Sequence, residues 1–202
     1  MGTLAATKQL ISRVSPKTSA LFVCDMQEAF RVHEYKFKEV TEVCKRLIKC
    51  ASLMDMKILA TEQNPRGLGH TIKELDLAAY KIPVFEKTKF TMCIPPVEKF
   101  FGSQLESVIL CGIEGHVCVL QTTLDFLKKG IHVHVVADGI TSRTQTDRYF
   151  GLRQMERAGA VVRSSESVMF ELLGGSDHPK FKEVQQLVKI PSPDTGLLPH
   201  FV

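Results

Sequence analysis

The sequence predicts an α/β protein, a three-layer sandwich around a six-stranded, mostly parallel sheet in the Rossmann-like order 3-2-1-4-5-6. Short apolar runs of strand type alternate with longer segments of helical periodicity along the chain. Strands joined by helical crossovers return in the same direction, which makes their sheet parallel. The length of 202 residues, with 44% hydrophobic and 24% charged residues, suits one soluble domain with a substantial core.

Strand 1 is SALFVC (19–24), and the amphipathic stretch after it places Val40, Val43, Leu47, Ile48 and Ala51 on one face. KILAT (57–61) is strand 2. The turn-rich NPRGLG (64–69) and a short helix near 71–79 lead to strand 3, IPVFE (82–86), and a loop then reaches strand 4, SVILC (107–111). Beyond it Val119, Thr122, Thr123 and Leu127 recur at helical spacing. Strand 5 is HVHVV (132–136), followed by ADGITSR as a polar loop, a helix over 144–158, and strand 6, AVVRS (160–164). Residues 165–202 read as short helices and a proline-containing tail. Residues 1–18 are expected to form a flexible N-terminus and 19–202 a single domain, with no linker or internal repeat.

The net charge of +4 is modest and the basic residues are interspersed with acids, so neither nucleic acid nor membrane is an expected partner. No apolar stretch approaches the roughly 18 residues of a membrane span. The six cysteines, at 24, 44, 50, 93, 111 and 118, form no C-x-x-C pair, which fits a reducing compartment. Residues 1–18 contain no acid and carry Lys8, Arg13 and Lys17 among Ser, Thr and Ala. The polar end of a cytoplasmic protein explains them, with a mitochondrial presequence as the alternative. Strand 1 lacks the G-x-G-x-x-G turn of a dinucleotide site.

Ligands of such a sheet bind beyond the carboxyl ends of the strands where the order reverses, here between strands 1 and 4. Asp25 follows strand 1 and the Cys118 segment follows strand 4, so the topology brings a carboxylate and a thiol to one crevice. Cys118 stands at a strand-to-helix junction, where unpaired amides and the helix dipole stabilise a thiolate. Taken singly, Cys118 reads as a buried structural cysteine and Asp25 as a turn cap. Lys87 and Lys89 lie just after strand 3, where a lysine is ordinarily a solvated charge.

The motifs CDMQEAF (24–30), KTKFTM (87–92) and GIEGHVCVLQTTLDFLKKG (112–130), in this order and spacing, resemble the isochorismatase-like or cysteine hydrolase superfamily, and within it the animal isochorismatase domain-containing proteins. TEQNPRGLG (61–69), VHVVADGITSRTQTDR (133–148) and GGSDHPKFKEVQ (174–185) extend the resemblance over nearly the whole chain. The resemblance implies a catalytic triad of Asp25, Lys87 and Cys118, with Lys87 preferred to Lys89 because it opens the KTKFTM motif. It also implies a cis peptide at Ile113–Glu114 and an oxyanion hole made by the N–H groups of Glu114 and Cys118. The implied reaction is cleavage of a C–N bond in a small amide through a thioester on Cys118. Relatives are commonly dimers or tetramers, which makes a homo-oligomer the expectation.

Nicotinamidases of this superfamily hold a metal through an Asp-x-His pair and further histidines after strand 2. Glu62 and Gln63 stand in that place here, and His70 alone falls short of the roughly three or four donors of a stable site. No metal or other cofactor is expected, and nicotinamide is disfavoured as substrate. The candidate substrate pocket comprises Gln27, Phe30, Gln63, Phe90, Thr91 and His116, of which Phe30 and Phe90 read equally well as core. Two other classes compete: a catalytically silent member kept as an interaction module, and a redox-active thiol protein, for which no resolving cysteine lies at C-x-x-C spacing from Cys118.

Overall fold

A computed structural model describes residues 12–197. Six strands, β1 (Ser19–Cys24), β2 (Lys57–Gln63), β3 (Val84–Lys87), β4 (Ser107–Gly112), β5 (His132–Ile140) and β6 (Val161–Arg163), form one sheet in the order β3-β2-β1-β4-β5-β6. Every pairing is parallel. The described residues hold seven α-helices: α1 (Phe37–Leu53), α2 (Pro65–Leu68), α3 (Pro95–Phe101), α4 (Cys118–Lys128), α5 (Gln145–Arg157), α6 (Ser165–Leu173) and α7 (Phe181–Val188).

The central strands β1 and β4 are buried along their whole length, which is why both read as unbroken apolar runs. Strand alternation sorts β1 between two cores. Leu21 and Val23 pack with α1, α6 and α7, whereas Ala20, Phe22 and Cys24 meet α3, α4 and α5 on the other face. Phe22 is fully buried, its ring stacked on Phe101 at 5.0 Å and edge-on to Phe126 at 5.3 Å. The helices after β5 and β6 begin at side-chain caps: Thr144 Oγ1 accepts the Asp147 N–H at 3.0 Å and Ser164 Oγ that of Ser167 at 3.3 Å.

Four segments differ from the sequence expectation. The loop before strand 4 contains α3, whose Pro95 and Pro96 occupy the first turn, where a missing N–H is harmless, while Val97 and Phe101 bury one face. Residues 137–140 continue β5 and are not a loop; the Asp138 carboxylate accepts the Ser165 N–H at 2.7 Å, so its charge is accommodated within a strand. A register shift between Leu110 and Gly112 keeps the lengthened strand paired. The helix expected near 71–79 is a single 3₁₀ turn, Lys73–Leu75, ended by Asp76 in the left-handed region at φ 48°. Residues 12–18 of the expected flexible N-terminus are packed: Val14 is buried, and Ser12 Oγ lies 3.0 Å from His134 Nε2 on β5. The part of that expectation on residues 1–11 lies outside the described residues.

Replacing Phe22 by Ala removes the ring that joins β1 to α3 and α4. The expected loss is about 3–5 kcal/mol of folding stability, read from the urea midpoint.

Candidate active site

Asp25 is the first residue past β1, and its φ of 46° turns the chain out of the sheet. The left-handed region is tolerated by Asp better than by most side chains. Its carboxylate is 1% exposed and doubly held: Thr61 Oγ1 donates to Oδ1 at 2.7 Å, and Lys87 Nζ to Oδ2 at 2.6 Å. Lys87 ends β3 and is 5% exposed; its ammonium also donates to Gln63 Oε1 at 2.7 Å and to the Phe90 carbonyl at 3.0 Å. Burial alone would lower the Lys87 pKa, but the acidic side chains around it, with the Asp25 carboxylate bonded to the ammonium, outweigh it and hold the ammonium above its ordinary value. Lys89 contributes a backbone carbonyl, 3.3 Å from Lys87 Nζ.

Cys118 opens α4 and is 6% exposed. Its helix is tied to the segment after Lys87 through Thr122, whose Oγ1 accepts the Met92 N–H at 2.9 Å and donates to the Cys118 carbonyl at 2.6 Å. Cys24 lies beside Cys118 in the core on this face of the sheet. Burial first, and then the neighbouring Cys118 thiol and Asp25, push Cys24 well above the ordinary thiol range, so it stands beside Cys118 as a neutral S–H. Asp25, Lys87, Cys24 and Cys118 therefore converge from β1, β3 and α4 on one buried point at the carboxyl end of the sheet.

The turn between β4 and α4 is fixed by its backbone. The N–H groups of Ile113 and Gly115 donate to the Cys24 and Thr141 carbonyls at 2.9 and 2.7 Å, and those of Val117 and Val119 both to Glu114 at 3.1 Å. The amides of Glu114, His116 and Cys118 have no acceptor among the described residues. The Ile113–Glu114 peptide is cis. Two glycines let other elements reach this turn. A Cβ on Gly112, at φ 111°, would fall 2.1 Å from the Cys24 carbonyl oxygen, and one on Gly151 of α5 would fall 2.8 Å from that of Gly115.

The pocket candidates divide. Gln63 touches Lys87, and Phe90 supplies a carbonyl to it while its own ring is 49% exposed. Gln27 is fully buried and clamps the end of β2: its Nε2 donates to the Gln63 and Gly69 carbonyls at 3.0 and 2.6 Å, and its Oε1 accepts the Gln63 N–H at 2.7 Å. Thr91 Oγ1 accepts the Cys93 N–H, and Phe30 packs against the core on the α1 side. His116 Nδ1 lies 3.1 Å from Ser142 Oγ. Glu62 holds Thr71, accepting from its N–H at 2.6 Å and its hydroxyl at 2.8 Å, and lies 3.0 Å from His70 Nδ1. No group of three or more His, Cys, Asp or Glu able to hold a metal ion occurs among the described residues. Sequence reasoning missed Cys24 and Thr61. The period of 2 in β1, which puts residue 24 on the same face as Phe22 and toward α4, was a usable signal for the first.

Comparison with known proteins places this geometry. The model of the isochorismatase domain matches residues 19–167. The chain belongs to the isochorismatase domain family. Within that family it is 45% identical over 197 residues to isochorismatase domain-containing protein 2 of Bos taurus, covering 96% of this chain and 95% of that protein. Its fold superposes on the structure described as MAR1 ribonuclease from Caenorhabditis elegans with a TM-score of 0.89 at 50% identity, over 93% of this chain and 98% of the other. The YcaC gene product of Escherichia coli, described as an octameric hydrolase of unknown specificity, shares the isochorismatase-type fold at a TM-score of 0.78 and 18% identity, over 87% of this chain and 90% of that one.

Removing one partner of a buried ion pair strands the other charge. Lys87→Met is expected to cost about 3–5 kcal/mol of stability, and the double variant Asp25→Asn with Lys87→Met clearly less than the sum of the single losses, measured as a double-mutant cycle in urea.

Proposed function

We propose that the chain is a cysteine hydrolase that cleaves the C–N bond of a small amide through a thioester on Cys118. The observation that carries this reading is the enclosed ion pair of Asp25 and Lys87 grouped with Cys118, next to a turn whose Glu114 and Cys118 amides have no acceptor among the described residues. Asp25 takes the Cys118 proton, and the Lys87 ammonium and the start of α4 favour the resulting thiolate. The thiolate attacks the amide carbonyl carbon. The oxyanion that develops is held by the two free amides, each worth about 10²–10³ in rate in comparable sites. Asp25 returns its proton to the departing amine, leaving a thioester. Water, deprotonated by Asp25, then releases the carboxylic acid and restores the thiol.

The name of the C. elegans neighbour makes RNA cleavage the second reading. A phosphodiester would have to draw on an ammonium whose donors already serve Asp25, Gln63 and Phe90, at a point where the three principal groups are only 1%, 5% and 6% exposed. Enclosure of this kind favours a small neutral substrate. A silent interaction module is the third reading.

Wild type and Cys118→Ala are to be compared on small amides, carbamoyl compounds and ureides, with a short RNA oligonucleotide alongside. The expected result is turnover of an amide-type substrate by wild type only, with loss of at least about 10³-fold in Cys118→Ala and an acyl mass shift on the Cys118 peptide. Cleavage of RNA but not amides, or equal turnover by both proteins, would reject the amide reading.

A further inference from the structure

Two loops brace the turn that carries Cys118. The segment after the 3₁₀ turn Glu28–Val32 is bonded to the segment after β5, Tyr35 N–H to the Ser142 carbonyl at 3.1 Å and the Thr141 hydroxyl to the Tyr35 carbonyl. The second of these segments holds the turn itself, with the Gly115 N–H on the Thr141 carbonyl and His116 on Ser142. Glu34, from the first loop, and Glu114, from the turn, lie within electrostatic reach of each other.

Glu34 is only 7% exposed, and neither of its carboxyl oxygens has a hydrogen-bond partner among the described residues, nor does Glu114 Oε1. The charged groups acting on Glu34 are Glu114, from the turn, and Arg143, from the segment after β5. Arg143 Nε lies 3.4 Å from Glu114 Oε1, which provides one positive charge for two carboxylates. His116 is engaged with Ser142. Two buried carboxyl groups side by side do not both ionise at low cost, because each charge loses its hydration and repels the other. One shared proton removes both difficulties and makes the three side chains neutral as a set.

We propose that Glu34 is a positioning residue for the nucleophile turn: in its acid form it donates its proton to the Glu114 carboxylate, Arg143 pairs with the same carboxylate, and Glu114 and the amide it offers to the oxyanion are held in place. The proposal rests on the hydrolase reading for the use of that amide. Its structural half, a protonated Glu34 at neutral pH, does not. Burial first, and then the Glu114 carboxylate beside it, raise the Glu34 pKa to about 8, with Arg143 opposing. The folded state thus binds this proton more tightly than the unfolded chain, whose carboxyl keeps the ordinary value of 4.5. The linked stability is present in full below pH 4.5 and is lost as pH rises through about 8.

The test compares wild type, Glu34→Gln and Glu114→Gln between pH 5 and about 9.5. Two quantities are read: urea stability, and the rate of Cys118 capture by iodoacetamide, followed by kcat/KM once an amide substrate is in hand. Glu34→Gln removes the shared proton outright, and Glu114→Gln, which removes the charge that shares it and leaves burial acting alone, weakens the pH dependence and serves if the first variant fails to fold. The expected result is a wild-type stability that falls with pH relative to the variant, together with a variant-to-wild-type capture ratio that rises about tenfold or more between pH 7 and 9. If stability runs parallel in wild type and variants, Glu34 holds no proton and the proposal is overturned. If stability diverges but the capture ratio stays flat, the pair does not position the turn, and the proposal is again overturned. Failure to hydrolyse any amide would leave both readouts intact and would count against the hydrolase reading alone.

Discussion

The carboxyl end of the sheet is organised around one buried charge pair. Asp25 and Lys87, with side chains 1% and 0% exposed and 2.6 Å apart, are each untenable alone in such surroundings. Asp25 leaves β1 and Lys87 ends β3, with β2 between them supplying Thr61 to one partner and Gln63 to the other. The pair therefore forms only when three strands are in parallel order and in register, with Gln63 opposite Lys87. Fold and site are one constraint here: the sheet positions the charges, and the charges penalise any other register.

A consequence is that the Cys118 thiol belongs to the hydrophobic core. Cys24 and Cys118 are packed in the same cluster as Phe22, Val119 and Phe126. Substitutions that loosen this face act on the thiol's surroundings as well as on stability, whereas those on the α1 side reach the site through the sheet and through Met26 and Ile113, which carry the adjoining turns. The apolar packing also removes water from around Lys87 and Asp25, which strengthens their interaction and narrows what can approach Cys118.

Much of this arrangement was legible in the sequence, for identifiable reasons. Strands 1 and 4 announce themselves as continuous apolar runs because both faces are covered, and their places in the order set the crevice between Asp25 and Cys118. What escaped was anything settled by a distant partner. Asp138 reads as loop because nothing local shows that Ser165, 27 residues on, accommodates its carboxylate. Pro95 and Pro96 read as loop because their helix declares itself only through Val97 and Phe101. Gln27 reads as a pocket residue because it follows Asp25, yet its amide is committed to the backbone at Gln63 and Gly69. Glu34 carries no local signal at all; its meaning comes from Glu114, which lies 80 positions away in the chain.

The two glycines at the nucleophile turn show how its shape is protected. At Gly112 the backbone of β4 passes against the Cys24 carbonyl, and at Gly151 a helix presses on Gly115 with no side chain between them. Neither position carries a side chain, and both decide where the turn that opens α4 sits. A single added methyl group at either glycine displaces the turn itself, whatever side chains surround it. The placement of the Cys118 thiol therefore hangs on two positions that hold no side chain.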